Sequence, residues 1–433
     1  MRKFTLIWLG QLVSSIGSYM GGFALTLWAW DLTGTATALA LVGFFQLLPS
    51  IFVSLFAGII VDRADRKSLI MLGDGVAAMS TLFILMLYLS GNLAIWHLYL
   101  AASVRGGFGQ IQTLAYSTSI ASLISTENYT RASSMVAAVH YGSSIVAPAL
   151  AGALYPVIGL GGILPIDLAT FGVAIATLSW IKIPQIKHEK TVNKPISHSK
   201  KSENLWDELT FGIRYIWRRD GLRCLLLVTA SFWFAHDLGG AVYSAMILAR
   251  SGNNSQILGA ISSAAGIGGV TGAIAITLWR GPKRRVLGML VGYVGAGLSK
   301  IVFGLGRSPL AWIPSQFCSS LNFPLLGSCT NALWMEKVPS EHQGKVFAAR
   351  SLGLEIVSAL SALLAGPLGD RFFEPAMGSP VGLARWFVPV FGSGSGAGLA
   401  MLYVLCAIAM ALVGLAGFCL PALQSLERTA EEH

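Results

Sequence analysis

Ionisable side chains lie inside stretches of this sequence that are otherwise apolar: Arg105, His140, Asp237, Lys300 and Glu355. A charge at the centre of a bilayer is costly unless it is paired or hydrated, so such residues usually line a cavity. We predict that these five line or adjoin a cavity, with Asp237, Glu355 and His140 as candidate protonation sites and Lys300 as the counter-charge of Asp237. The alternatives are salt bridges between helices and, for His140, a single hydrogen bond to a neutral ring.

Aromatic and amide side chains near these charges are candidates for lining a substrate cavity: Tyr141, Trp233, Phe234 and Asn322. A pocket with so few charges favours apolar or zwitterionic cargo. The sequence has no G-x-S-x-G, H-E-x-x-H or P-loop pattern. Its five cysteines lie in apolar runs without C-x-x-C spacing. We therefore predict that the protein is not an enzyme, has no catalytic residues and binds no cofactor or metal.

Long apolar runs carry these residues. The 433-residue chain is 54% hydrophobic and 12% charged, with a mean hydropathy of +0.66. A helix needs about 20 apolar residues to cross about 30 Å of hydrocarbon. We therefore predict an all-α polytopic membrane protein with twelve spans, at 5–29, 39–61, 69–90, 96–123, 132–156, 162–183, 222–249, 257–279, 286–305, 310–336, 347–369 and 396–420.

The basic residues indicate the orientation of the chain. If the first terminus is inside, internal segments hold 24 of the 30 Lys and Arg residues, which agrees with the excess of positive charge in cytoplasmic loops. We therefore predict a multi-pass protein of the cell membrane with both termini cytoplasmic. Because the positive charges fall in short clusters between apolar runs, the net charge of +10 needs no nucleic-acid partner.

The two halves of the chain repeat each other. Glu127-x-x-x-Arg131 precedes the fifth run, and Glu341-x-x-x-Lys345 precedes the eleventh. Parallel repeats of this kind are typical of transporters that rock two bundles about a central site. We predict two pseudo-symmetric six-helix bundles, 1–183 and 222–433, joined by a basic cytoplasmic linker at 184–221.

The linker has two parts of different composition. Its first part is rich in Lys, Ser and His, whereas apolar residues recur at helical spacing from Leu205 to Trp217. The second part is therefore predicted to form an amphipathic helix at the cytoplasmic interface. A solvated linker whose charges only fix the topology is the alternative.

A charged hairpin separates the second run from the third, and it contains Gly58, Asp62, Arg63, Arg66 and Lys67. Glycine lets another helix approach closely, and the charged residues can bind helix ends or each other. Asp74 lies about two turns further on, within the third run, where the basic residues of the hairpin could reach it. We predict that these residues form part of a cytoplasmic gate.

The fifth run contains Gly142, Pro148 and Gly152. Proline and glycine bend a helix and allow it to pack tightly on a partner, so we predict a bent, closely packed span. Asp167 follows Pro165 near the start of the sixth run. A carboxylate is favourable at a helix N-terminus, and we therefore predict a structural role for Asp167.

Four stretches of the sequence carry a family resemblance: Leu6 to Gln11, Trp28 to Gly34, Asp62 to Lys67 and Val338 to Phe347. Together they resemble the macrolide-efflux branch of the major facilitator superfamily, close to the enterobactin exporters. The R-x-x-x-G spacing at Arg105 resembles a second motif of the superfamily, which implies that Arg105 faces the central cavity and takes part in proton coupling. The glycines and proline of the fifth run resemble the antiporter motif of the superfamily. Ala147 stands where that motif has glycine.

The resemblance implies alternating access by two six-helix bundles, with export driven by inward proton flow. Asp62, Arg66 and Glu127 would form a cytoplasmic latch that holds the halves together when the site opens outward. The second copy of the loop motif, near Arg280 to Arg285, lacks the acid. The implied partners are a drug-like or macrolide-like amphiphilic substrate, protons and the lipid bilayer, and the chain would act as a monomer.

Two other functions stay open at this point. The cargo could be a siderophore, a lysophospholipid or another metabolite, either exported or imported. The fold could also serve as a receptor or scaffold without net flux. Buried charges count against a scaffold, because a protein without flux has no need for them.

Overall fold

The computed structural model describes residues 2–123, 129–180, 205–279, 281–379 and 385–428, and within these ranges the chain is almost entirely helical and contains no strand. A π-helical turn at Gly369–Phe373 joins α12 to α13. Their bounds are α1 (Arg2–Thr33), α2 (Ala36–Arg63), α3 (Arg66–Leu89), α4 (Ile95–Leu123), α5 (Tyr129–Trp180), α6 (Leu205–Trp217), α7 (Asp220–Ser251), α8 (Ser255–Trp279), α9 (Arg285–Leu305), α10 (Pro309–Leu321), α11 (Phe323–Lys337), α12 (Ser340–Leu368), α13 (Glu374–Gly378), α14 (Val388–Phe391), α15 (Ala397–Gly417) and α16 (Pro421–Arg428).

Twelve membrane spans account for the long helices. By length and apolarity alone, nine of the described helices could cross a bilayer. One of them, α5, contains two spans, a first arm and a second arm, joined at Gly159 where φ is 60°. The second arm of α5 is thus a tenth span, and α4 is an eleventh. The helices α10 and α11 together form the twelfth, which is interrupted at Asn322. The predicted all-α fold with twelve transmembrane helices is therefore confirmed.

The spans form two six-helix halves. The first half contains α1 to α5, and the second contains α7 to α12 with α15. Successive spans run in opposite directions. We call the side where α1 begins the terminal side and the opposite side the distal side. Apolar cores fill both halves, with Ile70 and Leu160 among the buried residues of the first and Tyr293 and Trp334 among those of the second.

Side-chain caps define the ends of the second and third helices. The hydroxyl of Thr35 accepts a hydrogen bond from the backbone N–H of Ala38 at the start of α2. The carboxylate of Asp65 accepts one from the backbone N–H of Ser68 at the start of α3, at 3.0 Å. Threonine and aspartate are preferred at such positions because they satisfy free amides of the first turn. The hairpin between α2 and α3 is therefore short and well terminated.

The second part of the predicted linker forms α6. Gly212 lies against the backbone carbonyl of Lys345 near the start of α12, and Ile216 is buried. Trp217 is 54% exposed. One face of α6 therefore packs on the second half. Residues 181–204 lie outside the described residues, and the location of α6 at a membrane surface stays a prediction.

The two halves meet along a seam, formed by the first arm of α5 with α8 and by α2 with α12. A Cβ atom at Gly152 would lie 2.6 Å from the carbonyl oxygen of Ser255. One at Gly259 would lie 2.5 Å from the carbonyl oxygen of Pro148. Any larger residue would therefore force the backbones apart at this crossing, which explains why small residues occupy it.

Candidate functional site

A cavity of about 690 Å³ lies between the two halves. Its walls come from α1 to α4 of the first half and from α7 and α12 of the second, with Pro148 of α5. Most of its lining is apolar. The polar residues that line it are Ser18, Tyr19, Thr26, Gln46, Ser80, Thr81, Arg105 and Ser244. Because both halves contribute to its walls, the cavity must change shape when the halves move relative to each other.

Arg105 supplies the basic side chain of this lining. Gly106 packs directly on the backbone carbonyl of Gln46, so α4 and α2 approach closely and position Arg105 at the cavity wall. Within the described residues, the guanidinium of Arg105 forms no hydrogen bond or ion pair. Its charge acts on the carboxylate of Asp167. The predicted role of Arg105 in proton coupling stays a prediction.

Asp167 lies in the core of the first half, away from any helix terminus. The second arm of α5 follows the turn at Gly159, so Asp167 is about two turns inside it. The side chain is 1% exposed. Its carboxylate accepts hydrogen bonds from Thr81 Oγ1 at 2.9 Å and Ser18 Oγ at 3.4 Å. The expectation that Asp167 stabilises the start of a helix is therefore not what the structure shows.

Asp237 lies on the face of α7 that carries Gly240, Ala241 and Ser244, which line the cavity. Its carboxylate lies 3.0 Å from Nδ1 of the neighbouring His236. Sequence analysis did not assign His236 a role, although it directly precedes Asp237. Asp237 therefore has a titratable group as its nearest partner.

Lys300 is buried in α9, with 6% of its surface exposed. Its Nζ donates a hydrogen bond to the hydroxyl of Tyr403 at 3.2 Å. The charge of Lys300 acts on Asp237, but the two side chains do not form a direct ion pair within the described part of the chain. Lys300, the predicted counter-charge, is thus near Asp237 but forms its hydrogen bond with Tyr403.

Glu355 lies on α12, two turns from the cavity residue Ala362 and on the same face. It is half-buried and lies toward the terminal side. Among the residues that the structure describes, none forms an ion pair with its carboxylate. Glu355 therefore lies about two turns from the cavity lining, and its role in proton coupling stays a prediction.

His140 reaches the cavity through a tyrosine. The hydroxyl of Tyr19, which lines the cavity, lies 2.8 Å from Nδ1 of His140. Tyr141 packs edge-on against the ring of His140 and is 41% exposed. Tyr19 was not predicted from the sequence, and its position seven residues before Thr26 on the same face of α1 is the signal that would have identified it.

Trp233, Phe234 and Asn322 lie outside the set of residues that line the cavity in this conformation. Trp233 packs against Phe323 and the ring of His236. The backbone carbonyl of Phe234 accepts a hydrogen bond from the hydroxyl of Ser361 at 3.1 Å. Asn322 interrupts the span between α10 and α11, and its side-chain amide donates to the carbonyl of Cys318. Their contact with a substrate stays a prediction.

The charged hairpin is held to the first half by its basic residues. Arg66 Nη1 donates to the backbone carbonyl of Thr118 at 3.1 Å, and Lys67 Nζ donates to that of Ser179 at 3.2 Å. The remaining predicted gate residues, Gly58, Asp62, Arg63 and Glu127, have side-chain surroundings that lie outside the described residues. The cytoplasmic latch that the resemblance implies stays a prediction.

Asp74 has partners other than the expected basic residues. It is buried, with 3% of its surface exposed. Its carboxylate accepts hydrogen bonds from Gln112 Nε2 at 2.6 Å and from Gln11 Nε2 at 3.0 Å. The third helix turns this side chain into the core of the first half, away from the hairpin. Asp74 therefore does not take part in the predicted charge cluster in this conformation.

Hydrogen bonds across the seam close the cavity toward the distal side. Trp30 Nε1 donates to Asn253 Oδ1 at 2.7 Å, and Ser255 Oγ donates to the carbonyl of Gly152 at 2.9 Å. Deeper in the membrane, Ser263 Oγ donates to the carbonyl of Ile145 at 2.6 Å. In the described residues, the hydrogen bonds that join the two halves all lie between mid-membrane and the distal side.

Two six-helix halves around a shared, mostly apolar cavity define the class of helix-bundle membrane transporters. The chain belongs to the Major Facilitator Superfamily, whose family profile matches residues 7–362. Over 393 residues it is 25% identical to macrolide efflux protein A of Streptococcus pyogenes, an alignment that covers 89% of this chain and 92% of that protein. The protein is therefore a multi-pass membrane transporter with a small-molecule substrate.

Solved structures of transporters share the fold. A bacterial homologue of the iron transporter ferroportin, in an inward-facing state, superposes with a TM-score of 0.67 at 14% identity over 96% of this chain and 98% of that one. A bacterial homologue in an outward-facing state gives a TM-score of 0.57 at 16% identity, over 97% and 100%. These likenesses show the shared fold.

Proposed function

We propose that this protein is a proton-coupled exporter of amphiphilic compounds that works by alternating access. One observation carries the proposal: a largely apolar cavity is shared by both halves, and in the described part of the chain the hydrogen bonds between the halves lie from mid-membrane to the distal side. A site of this kind becomes accessible from the other side once the seam opens and the terminal side closes. The similarity to macrolide efflux protein A supports export of drug-like cargo.

We assign the terminal side to the cytoplasm, with both chain ends inside the cell. The support is the excess of Lys and Arg in the segments on this side, 24 of 30 in the whole sequence. The conformation described here is then the inward-facing one, in which cargo binds from the cytoplasm or the inner leaflet. A monomer suffices for this cycle, because both halves of the cavity belong to one chain.

The cavity chemistry favours substrates with a large apolar surface and a few hydrogen-bonding groups. Apolar walls remove that surface from water, which stabilises binding by about 25 cal/mol per Å². Hydroxyls of Tyr19, Thr26 and Ser244 and the amide of Gln46 can orient polar groups of the cargo. Macrolides, which are large and carry many hydroxyls, have this composition.

A second cargo class is favoured by one specific residue. Arg105 is the cation of the lining, and within the described residues it forms no ion pair. A guanidinium binds carboxylate or phosphate through paired hydrogen bonds. An anionic amphiphile, such as a lysophospholipid or a siderophore, is therefore the alternative substrate.

Proton coupling is assigned to groups that face or adjoin the cavity. Arg105 lines it, and the helix faces that carry Asp237 and Glu355 continue into its wall. A carboxylate in such a position can be protonated from one side of the membrane and release the proton to the other. We expect the variant Asp237→Asn to lose pH-dependent export.

Inverted membrane vesicles with a pH-sensitive dye provide the test. After a proton gradient is imposed, macrolides, cationic dyes, siderophores and lysolipids are added in turn. Proton movement on addition of one compound, lost in Asp237→Asn or Glu355→Gln protein, would establish antiport and identify the cargo class. No response from any compound, with folded and correctly oriented protein, would contradict proton-coupled export of these classes.

A further inference from the structure

Polar residues that are buried or half-buried recur at intervals of seven along three helices of the first half. The pairs are Gln11 and Ser18 on α1, Asp74 and Thr81 on α3, and Arg105 and Gln112 on α4. Residues seven apart lie on the same face of a helix, about 10 Å apart along its axis. The three faces meet in the core of the half and form two layers of polar contacts.

Each layer contains one carboxylate bonded to neutral donors. In the layer nearer the terminal side, Asp74 accepts from the amides of Gln11 and Gln112 at 3.0 and 2.6 Å. In the layer nearer the cavity, Asp167 accepts from the hydroxyls of Thr81 and Ser18 at 2.9 and 3.4 Å. Both carboxylates are almost fully buried, at 3% and 1% exposure.

Neutral donors of this kind tolerate both protonation states of a carboxylate. A hydroxyl donates to a carboxylate and can turn to accept from a carboxylic acid, and the oxygen of a glutamine amide can accept as well. A salt-bridged carboxylate has no such freedom, because protonation would leave a buried cation unpaired. The layers therefore favour carboxylates that exchange protons without loss of packing.

We propose that Asp167 takes up a coupling proton and that Asp74 passes it to the terminal side. This inference rests on the proposed proton-coupled export and adds a proton path in the first half to the second-half carboxylates Asp237 and Glu355. When the site faces outward, a proton enters through the cavity and binds Asp167, and the cargo leaves. When it faces inward, the proton leaves through Asp74, and Asp167 returns to the anion that Arg105 stabilises.

The ionisable groups around Asp167 are few. Arg105 faces it from α4, and Asp74 lies one layer away on α3. Tyr19 lies next to Ser18 on α1, and its hydroxyl contacts His140 of the first arm of α5. The described second arm of α5 carries no other ionisable residue. A change in the pH profile of an Asp167 variant can therefore be assigned within this group.

Reconstituted full-length protein tests the path with erythromycin as the probe. The expected result for Asp167→Asn is at least a tenfold loss of export driven by a pH gradient, with erythromycin exchange at equal pH retained. Exchange requires binding and alternation but no net proton transfer, so a merely structural defect would reduce both. Asp167→Glu is expected to recover part of the driven export.

Two further variants keep the inference testable if Asp167→Asn does not fold. Thr81→Val and Ser18→Ala remove the hydroxyl donors and are expected to shift the pH at which driven export is half-maximal. An unchanged profile in all three variants would overturn the assignment to Asp167. Absence of any erythromycin-dependent proton movement in wild-type protein would instead overturn the proposed function itself, and the proton path with it.

A second inference comes from a sequence repeated at opposite ends of two paired helices. The helix α2 ends with Ala57-Gly58-Ile59-Ile60-Val61-Asp62-Arg63, and α12 runs into Ala365-Gly366-Pro367-Leu368-Gly369-Asp370-Arg371. The shared pattern is A-G-x-x-x-D-R. The two helices pack against each other across the seam and run in opposite directions. The copy in α12 therefore lies on the distal side, beside the first turn of α2, and the copy in α2 lies at the terminal end of that helix.

The distal copy binds its partner directly. Asp370 accepts hydrogen bonds from the backbone N–H groups of Ala36 and Thr37 at 3.0 and 2.7 Å and from Thr37 Oγ1 at 2.6 Å. Gly366 packs against the backbone of Thr37 without room for a side chain. At the other end, α12 begins after Pro339 and has no side-chain cap.

We infer that Asp370 is a distal latch, which holds the seam closed by capping α2 and releases it when the site opens outward. A carboxylate that caps free amides at a positive helix end forms a discrete contact, which is either made or broken. Asp62 lies at the corresponding position of the terminal copy. The two aspartates would therefore act in opposite conformations.

Distances between spin-labelled amino acids at Leu32 and Leu310 test the latch. Both residues are exposed near distal helix ends, one in each half. For Asp370→Asn we expect a larger fraction of long distances than in wild-type protein, and Thr37→Val should give a smaller shift in the same direction. Asp31→Asn is the matched control, because that distal carboxylate bonds Tyr155 within the first half. An unchanged distribution in both Asp370→Asn and Thr37→Val would overturn the inference.

Discussion

Each half of the transporter has a cation within its spans, and the two are held in different ways. Arg105 of the first half lines the cavity, and no hydrogen bond or ion pair fixes it within the described residues. Lys300 of the second half is 6% exposed and donates to the hydroxyl of Tyr403. The first cation can bind different anions in turn, whereas the second already has a fixed partner.

The carboxylates near these two cations also differ in the kind of side chain that contacts them. Asp167 in the first half bonds hydroxyls that can reverse their direction. Asp237 in the second half lies beside His236 and within the field of Lys300. Charge alone therefore does not identify a coupling residue. The neighbouring side chains decide how much free energy a change of its protonation state costs.

The largest effect is expected for Arg105→Ala. The charge of Arg105 acts on Asp167 and is available to bind an anionic group. A hydrogen bond to a charged group is worth about 1.5–3 kcal/mol, so we expect export to fall at least about tenfold. Arg105→Lys keeps the charge and should lose less. Erythromycin export under an imposed pH gradient measures both variants. Wild-type export by Arg105→Ala would remove the distinction between the two cations.

A smaller effect is expected for Lys300→Met. Replacement of a buried cation by an apolar side chain of similar size is often neutral for stability, so we expect an unchanged melting temperature. Export should fall by no more than about tenfold, the equivalent of about 1.4 kcal/mol. The same export assay and a thermal unfolding scan check this. A loss as large as that of Arg105→Ala would assign the working cation to the second half.

The seam offers a comparison within the first arm of α5. Gly152→Val should destabilise the conformation with the closed seam by about 1–3 kcal/mol, because overpacking of a close crossing costs that much. Gly142→Val is the matched control, since nothing lies within 4 Å of a Cβ at that position. Melting temperatures of the two purified variants measure the difference. Equal losses would show that the crossing at Gly152 carries no special constraint.

The smallest effect is expected for Ser263→Ala. This change removes one hydrogen bond across the seam, to the carbonyl of Ile145, which is worth about 1 kcal/mol. Ser144→Ala is the control, because the hydroxyl of Ser144 bonds a carbonyl of its own helix. The stability of both variants in denaturant gives the comparison. A greater loss in Ser144→Ala would argue against the seam as the stabilised contact.

The sequence predicted the spans and the two halves because apolar runs and basic loops record them directly. It also singled out Arg105, since a charge in an apolar run is conspicuous. The role of Asp167 could not be read in this way, because Pro165 suggested a helix start. The chain in fact turns six residues earlier, at Gly159, where φ is 60°. The sequence contains 49 glycines, and it does not show which of them adopts a positive φ.

The partners of Asp74 were missed for another reason. The hairpin beside it is rich in basic residues, and proximity along the chain favoured a charge cluster. Its observed partners, Gln11 and Gln112, come from two other helices. Side-chain packing between distant segments decides such contacts. The spacing of seven between polar residues on α1, α3 and α4 was nevertheless present in the sequence and is the signal that could have indicated the contact.

Alternating access is the central claim, and one pair of distance measurements tests it most directly. Spin-labelled amino acids at Leu32 and Leu310 report on the distal side, and those at Leu6 and Met335 report on the terminal side; all four residues are exposed. Across a range of pH, with and without erythromycin, we predict that one distance lengthens as the other shortens. Distances that stay constant, or that lengthen together, would contradict alternating access by two rigid halves.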